Sequence, residues 1–142
     1  MKLLIVGIMC LLTPLPLLGA TVVHEDAKLT VSAAGGGFGH AVALSDDTAL
    51  VGACPVCALF GAFQYYGSAH VLVRSGTNWS VQVGLTPSDG HIRDNFGLSV
   101  ALSGDTAVVG APGNDHAGTN AGSAFVFVRS GSTCFRERTF IG

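Results

Sequence analysis

Few residues in this chain could do chemistry, and their spacing limits what each could do. Cys54-Pro55-Val56-Cys57 has the C-x-x-C spacing of a redox dithiol or of half a zinc site. A redox pair belongs at the start of a helix in a βαβ unit, and the flanking residues carry no helical period. Zinc needs about four ligands, and the sequence has neither a second C-x-x-C nor an H-x-x-x-H to complete the set. Of the four cysteines, Cys10 lies in an apolar N-terminal run, leaving Cys54, Cys57 and Cys134. In an oxidising compartment this odd count makes a local Cys54–Cys57 disulfide the expectation, with Cys134 unpaired or intermolecular.

Five histidines, with several serines and aspartates, supply the residue types of a hydrolytic triad, but there is no G-x-S-x-G elbow and no H-E-x-x-H. His40 and His70 fall inside strand patterns, where a partly buried, hydrogen-bonded imidazole is the usual role. The polar stretch from Gly113 to Asn120 could present oxygens to a cation or ligand, but Asp115 is its single carboxylate, and a solvated turn is the better expectation. Its counterpart, Pro55 to Tyr66, crowds together Leu59, Phe60, Phe63, Tyr65 and Tyr66. Exposed, that segment is a contact surface; otherwise it packs against neighbouring structure. Asn78-Trp79-Ser80 is a glycosylation sequon on a turn, of consequence in a eukaryotic source. The sequence therefore predicts no catalytic, cofactor or metal site, and the chain reads as a non-enzyme.

Residues 1–20 have the layout of a secretory signal peptide: Lys2, an apolar run from Leu3 to Leu12, the Pro14/Pro16 break, then Gly19 and Ala20. Cleavage after Ala20 predicts a secreted product. The alternative is an uncleaved anchor, since Met1 to Val23 carries no charge beyond Lys2 and is long enough to span a bilayer. The net charge is only −2, and the scattered Lys and Arg residues form no basic block for nucleic acid or anionic lipid. The remainder is rich in Val, Ala, Leu and Gly, a composition that folds.

The elements that would position these residues come from an internal repeat. FGHAVALSDDTALVGA at Phe38 to Ala53 returns as FGLSVALSGDTAVVGA at Phe96 to Ala111, with twelve of sixteen positions identical. GSAHVLVRSG from Gly67 returns as GSAFVFVRSG from Gly122. A weaker correspondence sets Trp79–Leu85 against Val23–Leu29 upstream and Cys134–Phe140 downstream. Within each unit, short Val-rich runs are separated by Ser45-Asp46-Asp47-Thr48 or Ser103-Gly104-Asp105-Thr106, where Asp and Gly accept the positive φ of a two-residue hairpin. The third run ends at Ser-Gly and leads into a fourth from Trp79 to Leu85. Four short antiparallel strands per unit is the pattern of a propeller blade. Phe38 and Phe96 are expected between blades, and Gly39, Gly97, Gly52 and Gly110 where backbones approach closely.

Phe96-Gly97 followed by Val109-Gly110-Ala111-Pro112 resembles the FG-GAP repeat of integrin α-chain propellers and of exported microbial repeat proteins. The first copy matches as Phe38-Gly39 and Val51-Gly52-Ala53, with Cys54 in place of the proline. The resemblance implies an all-β fold of about two four-stranded antiparallel blades, an extracytoplasmic location, and binding through loops on one face. It places the repeat region at 21–133, with units at about 30–76 and 86–131, and a divergent tail at 134–142. Integrin repeats that hold calcium carry an Asp-rich loop between the FG and GAP strands; here that place is a tight hairpin too short for six or more oxygens. Two units do not close a seven-bladed ring, so a fragment, a truncated gene product or an assembly of copies is expected. The loss of Trp and of alternation in Cys134 to Arg138 favours truncation. The leading functional expectation is an extracellular binding or adhesion module whose partner is a protein or glycan. The alternative is a truncated structural paralogue or an accessory fragment of a larger exported protein.

Overall fold

The computed structural model describes residues 27–32, 36–54 and 66–130, and the backbone of 134–138. Eight strands follow one another: β1 (Phe38–Ser45), β2 (Thr48–Ala53), β3 (Ser68–Ser75), β4 (Asn78–Leu85), β5 (Ser99–Ser103), β6 (Thr106–Ala111), β7 (Ser123–Ser130) and β8 (Cys134–Arg138). They form two antiparallel meanders, β1-β2-β3-β4 and β5-β6-β7-β8, which fit two propeller blades and do not close a ring. The fourth strand of the second blade is the segment expected to be a divergent tail. Its backbone pairs with β7 from Ser130↔Cys134 to Val126↔Arg138, so the weaker correspondence with Trp79–Leu85 marked its place correctly. Main-chain pairing needs a β-compatible chain beside β7, and it does not require the first copy's side chains.

Both short hairpins form as expected, with Ser45↔Thr48 and Ser103↔Thr106 as the closing pairs. The first central residue of each takes the positive φ, 50° at Asp46 and 52° at Gly104. Arg74 N donates to Asp47 O and Arg129 N donates to Asp105 O, each at 2.8 Å, so each hairpin tip is tied to the third strand of its own blade.

Side-chain alternation gives each blade two faces. In the first blade, Ala49, Val51, His70 and Leu72 share what we term the leading face, and Leu50, Val71, Ala69, Val83 and Leu85 share the trailing face. The main core lies between the blades. It joins Leu50, Ala69, Val71 and Leu85 of the first trailing face to Phe96, Ala107, Val109, Ala111, Phe125 and Phe127 on the second leading face. Because β2 is covered on both sides, all six of its residues are buried. A smaller cluster, Ala49, Val51 and Leu72 under Leu29, Phe38 and Trp79, covers part of the first leading face.

Candidate functional site

The repeat motif builds the joint between blades. Phe96 is 0 % exposed and meets Phe125 and Phe127 edge-on, with ring centroids 5.4 and 6.1 Å apart. Next to it, Gly97 has φ +86°, and its carbonyl oxygen sits where a Cβ on Gly52 would be. Gly67 forms a parallel bridge with Phe96, again with no room for a Cβ. Ala53 and Ala111 are fully buried, and Pro112 is exposed with its carbonyl beside Gly122. Phe38 departs from the expectation of a buried interblade ring: it is half-buried, 5.8 Å from the His70 ring on the first leading face. The reason is positional: among the described residues Leu29 and Trp79 pack on this face, and no blade stands before Phe38 as the first blade stands before Phe96. Gly39 likewise has no atom within 4 Å of a built Cβ, and at Gly110 the group in that place is the Ser99 hydroxyl of its own blade.

The second feature is polar. A recess of about 310 Å³ is lined by Asp89 and His91 from the β4–β5 connection and by Asn114, Asp115 and His116 from the β6–β7 loop. A buried latch holds the two loops together. Asp94 Oδ2 accepts from Asn114 Nδ2 and from His91 N, both at 2.8 Å, and Gly113 N donates to Asp94 O at 3.0 Å. Asn114 Oδ1 accepts from Ser123 Oγ at 2.7 Å and from His116 N at 3.2 Å. The neighbouring backbone is left-handed at Arg93 (φ 77°) and Asn95 (φ 58°); Asn tolerates this, whereas at Arg93 it costs free energy and persists only when surrounding bonds impose it. Asp115 Oδ1 caps its own loop by accepting from Asn120 N at 2.6 Å, while His116 Nδ1 lies 3.4 Å from Asp89 Oδ2, an ion pair when the imidazole is protonated.

In the Gly113–Asn120 loop, expected from the sequence to be a solvated turn, the organising residue is Asn114, and its buried partner Asp94 carries no sequence expectation. Their signal is faint. Asp94-Asn95 stands before the second Phe-Gly where the first copy has Gly36-Gly37, and the partner lies 20 residues away in another loop. Among the described residues no group of three or more His, Cys, Asp and Glu side chains could hold a metal. Asp47 and Asp105, in the two short hairpins, face Arg74 and Arg129, with contacts of 2.7 and 3.5 Å.

Ser68 Oγ and His70 Nε2 are 3.0 Å apart, a spacing compatible with nucleophile activation. A Cβ on Gly84 would meet the other side of the ring at His70 Nδ1, where an orienting carboxylate would be needed. Burial lowers the His70 pKa, consistent with a neutral core imidazole. Cys54 is buried, and Cys57, with the aromatic segment 55–65, lies outside the described residues, as does the whole of 1–20. Tyr66 is exposed at the edge of that segment, and Asn78 is exposed at the start of β4. No helix among the described residues is long and apolar enough to cross a membrane.

Two stacked four-stranded meanders, jointed by Phe-Gly against Gly-Ala, define a propeller-type repeat protein. Both copies match the model of the FG-GAP repeat, over residues 23–72 and 79–127, and the chain belongs to that family. No curated protein matches the chain.

Proposed function

We propose that this chain is an extracellular binding or adhesion-type repeat module without catalytic activity, engaging a protein or glycan through the recess at Asp89, His91, Asp115 and His116. The observation that carries this reading is the buried Asp94–Asn114 latch, which fixes two loops so that His116, Asp89 and Asp115 stand at the surface in a set geometry. Rigid scaffolds carrying polar loops are the usual construction of binding sites. Export, with cleavage after Ala20, belongs to the same reading and is supported by the layout of residues 1–20; an uncleaved segment would give a membrane-anchored form.

Two measurements test the proposal. Fractionation of expressing cells with mass spectrometry of the N-terminus should find the product outside the cytoplasm and beginning at Thr21. Fluorescently labelled protein should bind cell surfaces saturably, and the triple change Asp89→Ala, Asp115→Ala, His116→Ala should reduce that binding at least about tenfold with folding retained. Binding unchanged by the triple variant would remove the recess from the account.

A further inference from the structure

We propose that a second copy of this chain docks head to tail, the leading face of its first blade seating on the trailing face of the second blade. The chain has already made this joint once, between its own blades, and it carries each half of the joint a second time.

The leading face of the first blade repeats most residues of the paired one, with His70 and Leu72 in the places of Phe125 and Phe127. Val100 and Leu102 of β5 pack against the interblade core, whereas their counterparts on β1, Val42 and Leu44, are 68 % and 70 % exposed. Phe38 has the ring position of Phe96, and Gly39 the positive φ of Gly97, 92° against 86°. The unpaired trailing face answers it. Val108, Gly110, Ala124 and Val126 hold the places of Leu50, Gly52, Ala69 and Val71, which in the first blade receive Phe96 and Gly97. A shallow recess of about 170 Å³ is open there, lined by Ser99, Val100, Ala101, Val108, Gly110 and Ala124.

The polar pins are duplicated as well. Across the internal joint, Arg129 Nη2 donates to Thr48 Oγ1 at 3.0 Å and Gly104 N donates to Ser45 Oγ at 3.1 Å. On the free faces the same groups recur: Arg74 and the Asp46 N–H on one, Thr106 and Ser103 on the other. Arg74 is already held by Asp47, as Arg129 is by Asp105. Two groups stand in the way. Leu29 packs over Ala49, Val51 and Leu72 on the leading face and must swing aside for the incoming blade. The Ser99 hydroxyl lies over Gly110, where the incoming Gly39 carbonyl would sit, and a turn about its χ1 clears the place.

The two surfaces differ from each other, so the contact is heterologous and propagates until a ring closes or a stack grows. The occupant is a second copy because the template is this chain's own joint, matched in apolar groups, glycines and hydrogen-bond donors.

Size-exclusion chromatography with light scattering on the full-length chain tests this. The unaltered chain should exceed twice the single-chain mass at micromolar concentration. Leu44→Glu and Ala124→Glu, both at exposed positions, should each give a monomer with native circular dichroism. Mixed in equal amounts, the two variants should give a dimer, because each retains the face that the other has lost. Ser99→Ala should strengthen association severalfold. A monomeric unaltered chain would overturn the proposal and would point to intramolecular cover of the leading face. Association that neither charge disturbs, or variants that fail to pair when mixed, would also overturn it.

Discussion

Phe96 and Phe38 occupy the same place in the repeat, and truncating them should have unequal consequences. A fully enclosed Phe withdraws about 150–250 Å² from water, which at about 25 cal/mol per Å² is roughly 4–6 kcal/mol. Residual burial in the unfolded chain lowers this to ~3–5 kcal/mol, in line with measured costs of Phe→Ala in cores. Phe96 belongs at the top of that range, because it is 0 % exposed and its loss also removes two edge-on contacts, to Phe125 and Phe127. Phe38 is half-buried, with one ring contact to His70, so Phe38→Ala should cost about 1.5–2.5 kcal/mol. Urea unfolding in the monomeric Ala124→Glu background separates them, since a docked second copy would otherwise add to the cost at Phe38. With a slope near 1 kcal/mol/M, the midpoints should fall by roughly 5 M and by about 2 M. If Phe96→Ala does not fold, Phe96→Leu supplies an intermediate value. Equal losses at the two positions would refute the assignment of Phe96 to an interblade core and of Phe38 to an open face.

Gly52→Ala should lower the thermal midpoint sharply, at about 3 kcal/mol or more, because its Cβ meets the rigid Gly97 carbonyl; Gly110→Ala meets only the rotatable Ser99 hydroxyl and should cost about 1 kcal/mol or less. The folded pKa of His70 lies below the ordinary 6.5, so its contribution is fully present above that pH and is lost as pH falls below it. His70→Phe, matching Phe125 of the second copy, should flatten that part of a stability-versus-pH curve, and an unchanged slope would place the dependence elsewhere. Millimolar calcium should move the melting midpoint by no more than about 1 °C, since the hairpin carboxylates Asp47 and Asp105 face arginines. A rise of several degrees would show a cation site in this chain.

The strands from β1 to β7 were legible because two signals agreed: Val- and Ala-rich runs, and turn residues able to take the φ the hairpins require. The core was half legible. Alternation assigns Val51 and Leu50 to opposite faces, but it does not say which face another blade will cover, and Phe38 was therefore expected to be as buried as Phe96. The polar latch was hardly legible at all. Asp94 and Asn114 belong to separate loops, and neither obeys a period, so their pairing follows from where the strands end and from no local pattern. The fourth strand of the second blade shows the reverse case, a weak sequence match whose backbone pairing the neighbouring β7 could impose.

The repeat keeps backbone conformation more strictly than it keeps residue type. Gly37 and Asn95 precede the two Phe-Gly pairs with φ of 67° and 58°, and Asp46 and Gly104 open the two hairpins at 50° and 52°. Gly67 and Gly122, which lead into the third strands, are both at 77°. Asn and Asp enter the left-handed region more readily than most residues, so these exchanges cost little and leave the chain path intact. At Gly37 a Cβ would meet the Cys54 carbonyl, while at Asn95 the amide lies close to Gly113, so the same backbone serves a crowded turn in one copy and the latched loop in the other. A shared path means that the two blades offer equivalent surfaces, and the differences in burial between Phe38 and Phe96, or between Leu44 and Leu102, then arise from neighbours. Burial in such an array is a property of position in the stack, and adding a blade in front of β1 should bury Phe38, Val42 and Leu44 without any change in the first blade's own fold.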